Sequence, residues 1–246
     1  IIPPLADDKP KLAQKVNTLG TKNLIEVLEI SSPNCFFMYS SSISVYGDRL
    51  DSPEIKVGDP LKASVGDEYA LTKMESEKTL SKSKLDWTIF RLSAIMGVGN
   101  HKMSKLMFHM PLKTKIEIAT PSDTARAFVK GIEKRTELSN RIFNLGGGEN
   151  CRISYRGLLE KSFEIYGLGK LNFPDKTFAE KNFHCGDYVD GDELEEIVGF
   201  RQNDLDYYFE ENRKGIPSIQ RFFTWLFKGI IKYFMKRQSE PLHAYK

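Results

Sequence analysis

Residues 34–48 read "NCFFMYSSSISVYGD". The run is apolar and aromatic up to Tyr39, then turns to serine. A short apolar run closed by small hydroxyl residues reads as a strand buried on both faces, as strands of parallel sheets are. In open α/β sheets ligands bind beyond the carboxyl ends of such strands, so Ser40, Ser41 and Ser42 fall where a site would form. In an extended segment Ser40, Ser42 and Ser44 share one direction.

Outward from this stretch the pattern repeats. Upstream, residues 7–30 read as a helix, with Leu12, Val16, Leu19, Leu24 and Leu28 at helical spacing. Downstream, residues 49–65 carry two prolines and one glycine and read as a loop. Asp67 can cap a helix that runs to about Ser81. "LDWTIFRLSAIMG" (85–97) is a second buried strand, and residues 98–115 are irregular. Thr120 or Ser122 starts a helix to about Lys134. "NRIFNLGGG" (140–148) is a third strand, and Ser154 caps a helix ending at Gly167. Asp190 starts another helix, and a last one follows Pro217. No internal repeat is present. Apolar strands alternating with helices predict an α/β fold with a parallel sheet.

Two tyrosine–lysine pairs stand four residues apart, Tyr69-Ala-Leu-Thr-Lys73 and Tyr166-Gly-Leu-Gly-Lys170. With ten tyrosines and this many lysines, about one such pair arises by chance. Gly167 and Gly169 end a helix, so Lys170 does not continue the helical face of Tyr166. Tyr69 and Lys73 lie in a stretch free of Gly and Pro from Glu68 to Leu80, one turn apart on one face. A phenol of pKa about 10 is a weak base at neutral pH, and an ammonium one turn away favours its phenolate. A hydroxyl at a strand end, Ser42, can hold a substrate oxygen beside that phenol.

"MYSSSISVYGD", then "YALTK", then "WTIFRLSAIMG", in this order, resemble the extended short-chain dehydrogenase/reductase family, the NAD-dependent epimerase/dehydratases. "KVNTLGTKNLIE" (15–26), "DTARAFVKGIE" (123–133) and "DELEEIVGF" (192–200) are similar to further segments of it, so the likeness covers roughly residues 1–200. The resemblance implies a Rossmann-like sheet and NAD or NADP as cofactor. It implies Ser42, Tyr69 and Lys73 as the catalytic group, with Ser42 chosen because it stands three residues before Val45. It implies Asn17, Ser40, Tyr69, Lys73 and Leu92 on the cofactor, and Ser42 and Ser44 on the substrate. Lys73 would also donate hydrogen bonds to the cofactor ribose. The activity implied is that of an oxidoreductase or an isomerase: an epimerase, dehydratase or reductase acting at a hydroxyl or carbonyl carbon of a sugar-like or small substrate. Homodimers through the helices at 10–30 and 67–82 are a further implication. A non-catalytic cofactor sensor or scaffold on the same fold is the competing reading, and retention of all three of Ser42, Tyr69 and Lys73 argues against it.

The sequence also departs from the family pattern. No G-x-x-G-x-x-G loop is present, and Gly146-Gly147-Gly148 follows a late strand without the spacing that cradles a pyrophosphate. Residue 1 is expected to align just after the family's fourth strand. Residues 1–97 then read as the second half of the nucleotide domain. Residues 98–215 read as a substrate region with returning sheet elements, and 216–246 as a basic amphipathic tail. After Arg91, Ala94 and Met96 replace the Asn and aromatic residue of nucleotide-sugar enzymes. Only 25 residues separate Gly97 from Asp123, which points to a smaller substrate or a different hold on it.

The chain has 246 residues, 40% hydrophobic, and reads as globular. Three cysteines without a C-x-x-C suggest reduced thiols in the cytoplasm. Four histidines, among them His101 and the neighbour of Cys185, His184, show no metal-ligand spacing. No nucleic-acid module is recognisable. Charge is uneven: from Asn212 onward eight basic residues face one acid, a net +7, which leaves −4 for the rest of a chain whose total is +3. Within that tail, "SIQRFFTWLFKGIIKYFMKRQ" (218–238) places Arg221, Lys228, Lys232 and Lys236 within roughly 80° on a helical wheel. A broad aromatic face occupies the rest. Such a helix suits a membrane surface, or it packs on the domain or on a second subunit with its lysines solvated.

Overall fold

The computed structural model describes residues 1–99 and 104–245. His101 and the rest of 100–103, part of the segment expected to be irregular, lie outside the described residues.

Strand β1 is Phe36–Ser42, β2 Glu54–Ile55, β3 Asp86–Leu92 and β4 Ala94–Ile95. They are followed by β5 Lys115–Ala119, β6 Arg141–Leu145, β7 Arg152–Ser154 and β8 Asp187–Tyr188. The three apolar runs read from the sequence are β1, β3 and β6, and they form one parallel sheet in that order. Ser42 stands opposite Leu92, and Leu92 opposite Leu145, so the carboxyl ends of all three strands are level. β3 is central. Its residues Trp87, Ile89, Phe90 and Arg91 are all buried, which is why its sequence runs apolar without alternation. Phe90, Phe143 and Leu145 pack with Ala127 and Phe200 in one cluster. Tyr39, Trp87 and Ile89 pack with Ile25 and Leu80 in another. The short strands were not anticipated: β5 pairs with β4 in parallel and with β7 antiparallel, and β2 pairs with β8.

The caps are local chemistry. Asp67 Oδ1 accepts from the Ala70 amide at 2.8 Å and starts the helix Glu68–Leu80. Thr120 caps Pro121–Glu133 by accepting from the Asp123 amide, with Pro121 at the first position, where its missing N–H costs nothing. Ser154 caps Tyr155–Tyr166, which stops at Gly167 in the left-handed region (φ +82°). Asp190 does not cap the next helix. Gly191 takes that place before Asp192–Val198, because the Asp190 carboxylate is already bonded to Asn144 Nδ2 (2.8 Å) and the Val57 amide (2.6 Å). A helix at Leu205–Lys214, capped by Asp204, was not foreseen.

The N-terminal helical region is interrupted. It comprises Pro3–Asp8, Pro10–Ala13, a π-helical turn at Gln14–Leu19, and Gly20–Ser31. The expected apolar stripe is there but faces outward: Leu12, Val16, Leu19 and Leu24 are exposed, and only Leu28 packs against buried core. Ala13 and Ile25 are buried instead. The contact with the helix Glu68–Leu80 is built from polar groups. Ser76 Oγ donates to the Asn17 carbonyl at 3.0 Å, and Asn17 Nδ2 donates to Thr72 Oγ1 at 3.2 Å.

The single helix expected at 218–238 is two, Ser218–Leu226 and Lys228–Arg237, parted at Phe227. Its inner side is docked rather than free. Ile231 and Met235 pack on the cluster around Phe108 and Phe163, and Ser239 Oγ donates to the Thr177 carbonyl at 2.6 Å. Lys232 of the expected solvated basic strip donates instead to Asn172 Oδ1 at 2.8 Å. Among the described residues no helix is long and apolar enough to cross a membrane.

Candidate active site

β1 does not continue through Ser44. A 3-10 turn, Ile43–Tyr46, begins where Ser42 Oγ accepts the Ser44 amide at 3.2 Å. The shared direction expected for Ser40, Ser42 and Ser44 is therefore broken after Ser42, and Ser44 is fully buried. The turn has a chemical consequence. Ser42 spends a lone pair on the Ser44 amide, which leaves its O–H free to donate elsewhere. Gly47 closes the turn at φ +66°, where a Cβ would stand 1.9 Å from the Lys62 carbonyl oxygen. Only glycine fits "VYG" here.

The helix Glu68–Leu80 brings Tyr69 and Lys73 against this strand end. Burial pushes the Tyr69 phenol above its ordinary value, the neighbouring Ser42 hydroxyl pulls it back, and Asp67 pushes it up again. Lys73 Nζ donates to the Ser40 carbonyl at 2.8 Å. It lies 4.8 Å from the Tyr39 ring centroid and 5.6 Å from that of Tyr69. The ammonium is thus held by one carbonyl and two aromatic rings. Burial pulls Lys73 down to about 8, opposed by Glu77.

Ser42, Tyr69 and Lys73 are therefore together, with Ser40 contributing its carbonyl and Leu92 beside Ser42 in register. Asn17 sits against the tyrosine helix, its Nδ2 donating to Thr72 Oγ1 at 3.2 Å and to the Ile1 carbonyl at 3.0 Å. Tyr166 and Lys170 form no comparable pair, since the helix ends between them.

Behind the site runs a buried network that spacing alone does not reveal. Arg91 binds Glu77 in a two-pronged ion pair (2.7 and 3.0 Å), both side chains almost fully buried. Arg91 Nη1 also donates to Tyr46 OH at 2.8 Å, and Tyr46 OH donates to Asn144 Oδ1 at 2.8 Å. Asn144 in turn donates to Asp190. The network ties the tyrosine helix to β3, to the turn after β1, and to the end of β6. Its one trace in the sequence is Glu77 at the next fourfold step, Tyr69, Lys73, Glu77. At the same strand ends the hydroxyls of Ser41, Ser44 and Ser93 are buried with no hydrogen-bond partner among the described residues.

A parallel α/β sheet with this triad at its carboxyl edge defines a Rossmann-like short-chain dehydrogenase/reductase fold. Residues 3–146, more than half the chain, match the model of the NAD dependent epimerase/dehydratase family, and the chain belongs to that family. No curated protein matches it. Solved structures similar in fold include UDP-glucuronic acid 4-epimerase from Bacillus cereus with UDP-glucuronic acid and NAD (16% identity, TM-score 0.64). The alignment covers 81% of this chain and 66% of that one. The dTDP-glucose 4,6-dehydratase DesIV from Streptomyces venezuelae with NAD is similar at 19% identity and TM-score 0.65, covering 85% of this chain and 69% of that one. Pal from Bacillus thuringiensis gives 18% and 0.68, covering 89% and 74%. At these identities the likeness carries the fold.

Proposed function

We propose that Ser42, Tyr69 and Lys73 form the proton relay of an NAD(P)-dependent epimerase, dehydratase or reductase. It acts at a hydroxyl- or carbonyl-bearing carbon of a sugar-like or smaller substrate. The observation that carries this reading is the placement of Tyr69 beside Ser42 at the carboxyl end of β1, with Lys73 one turn on and 5.6 Å from the Tyr69 ring centroid.

The residues present fit the nicotinamide-riboside end of NAD or NADP. Lys73 offers ammonium donors, and the buried Ser93 hydroxyl has a donor and acceptors to spare. Asn17, Ser40 and Leu92 complete that side. The cofactor, when bound, supplies hydride exchange at the substrate carbon. Tyr69 gives a proton to the substrate oxygen or takes one from it. Ser42 holds that oxygen beside the phenol, its own hydroxyl oriented by the Ser44 amide. Lys73, charged below about pH 8, favours the phenolate form that follows proton donation.

Two of the similar structures bear names of nucleotide-sugar enzymes. The short span between Gly97 and Asp123, with Ala94 and Met96 at the strand exit, supports a substrate with a smaller footprint. The outward stripe of Leu12, Val16, Leu19 and Leu24, with the exposed Leu71 of the tyrosine helix, supports a homodimer through these two helices. The test follows nicotinamide fluorescence while NADH or NADPH is incubated with carbonyl and sugar substrates. A substrate-dependent change that Tyr69→Phe abolishes is expected. The same change in Tyr69→Phe as in the parent protein overturns the relay.

A further inference from the structure

The two tail helices are docked by one side and bare on the other. In Ser218–Leu226 the residues Ile219, Phe222, Phe223 and Leu226 recur at steps of three and four, and each is about half exposed or more. In Lys228–Arg237 the same spacing gives Ile230, Tyr233 and Phe234, also exposed. Steps of three and four mark one face of a helix. The inward-turned side of the second helix carries the anchors Ile231 and Met235. The outward aromatic face is therefore not surplus core, because the core contact is already made by other residues.

The charge beside this face decides what covers it. Lys228 lies 5.4 Å from the Trp225 ring centroid, and Arg237 lies 5.8 Å from that of Tyr233. Lys228 and Arg237 are exposed, as are Arg213 and Lys214 at the end of the preceding helix. Residues 212–246 carry +7 while the remainder carries −4. A second copy would bring the same positive charge against this face. A surface of negative charge over an apolar interior complements both the aromatic stripe and its basic rim.

We propose that residues 218–238 form an in-plane docking surface for an anionic lipid bilayer. The aromatic face enters the acyl boundary while Lys228, Lys236 and Arg237 stand at phosphate depth. At nine and ten residues the helices are too short to span the roughly 20 residues a bilayer requires. They suit the shallow burial of an interfacial helix. Trp225 is exposed and the other tryptophan, Trp87, is buried, so tryptophan emission reports on this surface.

The test uses the full chain with vesicles of phosphatidylcholine alone and of phosphatidylcholine with phosphatidylserine. Co-flotation with the anionic vesicles and a blue shift of Trp225 emission are expected, both weakening as salt rises. Phe222→Glu with Phe223→Glu should weaken binding by at least about tenfold, since each phenylalanine burial is worth more than one decade in affinity. Far-ultraviolet circular dichroism unchanged by the double substitution confirms that the fold is intact. Failure to float with anionic vesicles overturns the proposal, and so does equal binding to both vesicle types. Self-association abolished by the double substitution, without lipid binding, assigns the face to a second copy and overturns it too.

Discussion

Tyr69→Phe deletes one oxygen from a half-buried ring and leaves the packing in place. Turnover should be abolished while cofactor affinity stays nearly intact, because only the phenol oxygen moves the proton. Tyr166→Phe is the control and should change little in either kcat or KM. Lys73 gives a second, less intuitive outcome. Burial holds its folded-state pKa at about 8, below the unfolded value of about 10.4. The folded state then binds fewer protons than the unfolded one between these two values, so stability rises with pH across that window. Below pH 8 the full penalty of burying the ammonium is present. Lys73→Met should therefore end turnover yet stabilise the unliganded protein at pH 7 by about 1 kcal/mol or more, read as a rise in thermal midpoint. The gain should shrink toward zero as the pH approaches 10.5. A melting point at pH 7 that falls instead would show that the Ser40 carbonyl and the two rings outweigh desolvation. The sequence could show Tyr69 and Lys73, because four residues on one helix are local geometry. It could not show Tyr39 in the box around Lys73, because that contact depends on how a strand side chain meets a helix from elsewhere in the chain.

At the scale of elements, the helix Glu68–Leu80 is located by Asp67 at one end and by the Glu77–Arg91 pair near the other. Removing one partner of a buried ion pair leaves a charge with no counter-ion. Glu77→Gln should destabilise the protein by about 3 kcal/mol, measured as a lower urea midpoint. Glu137→Gln, at the exposed pair with Lys134, should leave the midpoint nearly where it was. The sheet was legible for a simple reason: β1, β3 and β6 are buried on both faces, so their apolar runs stand out. β5 and β7 were not, because they are only five and three residues long and β7 is half-exposed, so neither makes a long apolar run. The N-terminal helices show another limit. A periodic stripe reads as core, yet here the close contact is made by Ala13, Asn17, Thr72 and Ser76, and a π-helical turn alters the pitch between Leu12 and Leu24. A pattern tells which residues share a face, but the partner decides which face is inside.

At the scale of the whole molecule the tail joins two requirements in one segment. Its inner side completes the cluster around Phe108, Tyr155, Phe163 and Phe178, and Gly167 lets it come close: a Cβ there would stand 2.7 Å from the Arg221 carbonyl oxygen. Glu240 reaches back to Lys105 at 2.9 Å and His109 at 3.0 Å, which ties the end of the tail to the segment after β4. Deleting residues 216–246 uncovers the apolar surface on which Ile231 and Met235 sit. Burial of two such side chains is worth about 1.5–3 kcal/mol each. The truncated protein should therefore lose several kcal/mol of stability and become prone to aggregation, seen as a lower urea midpoint and reduced solubility. Ile231→Ala with Met235→Ala in the full chain should reproduce most of that loss. Phe222→Glu with Phe223→Glu should not, since those rings face outward. If the truncated protein remained soluble and kept its urea midpoint, the inner contacts would add nothing to the fold. The tail would then be an appendage for its outer face alone.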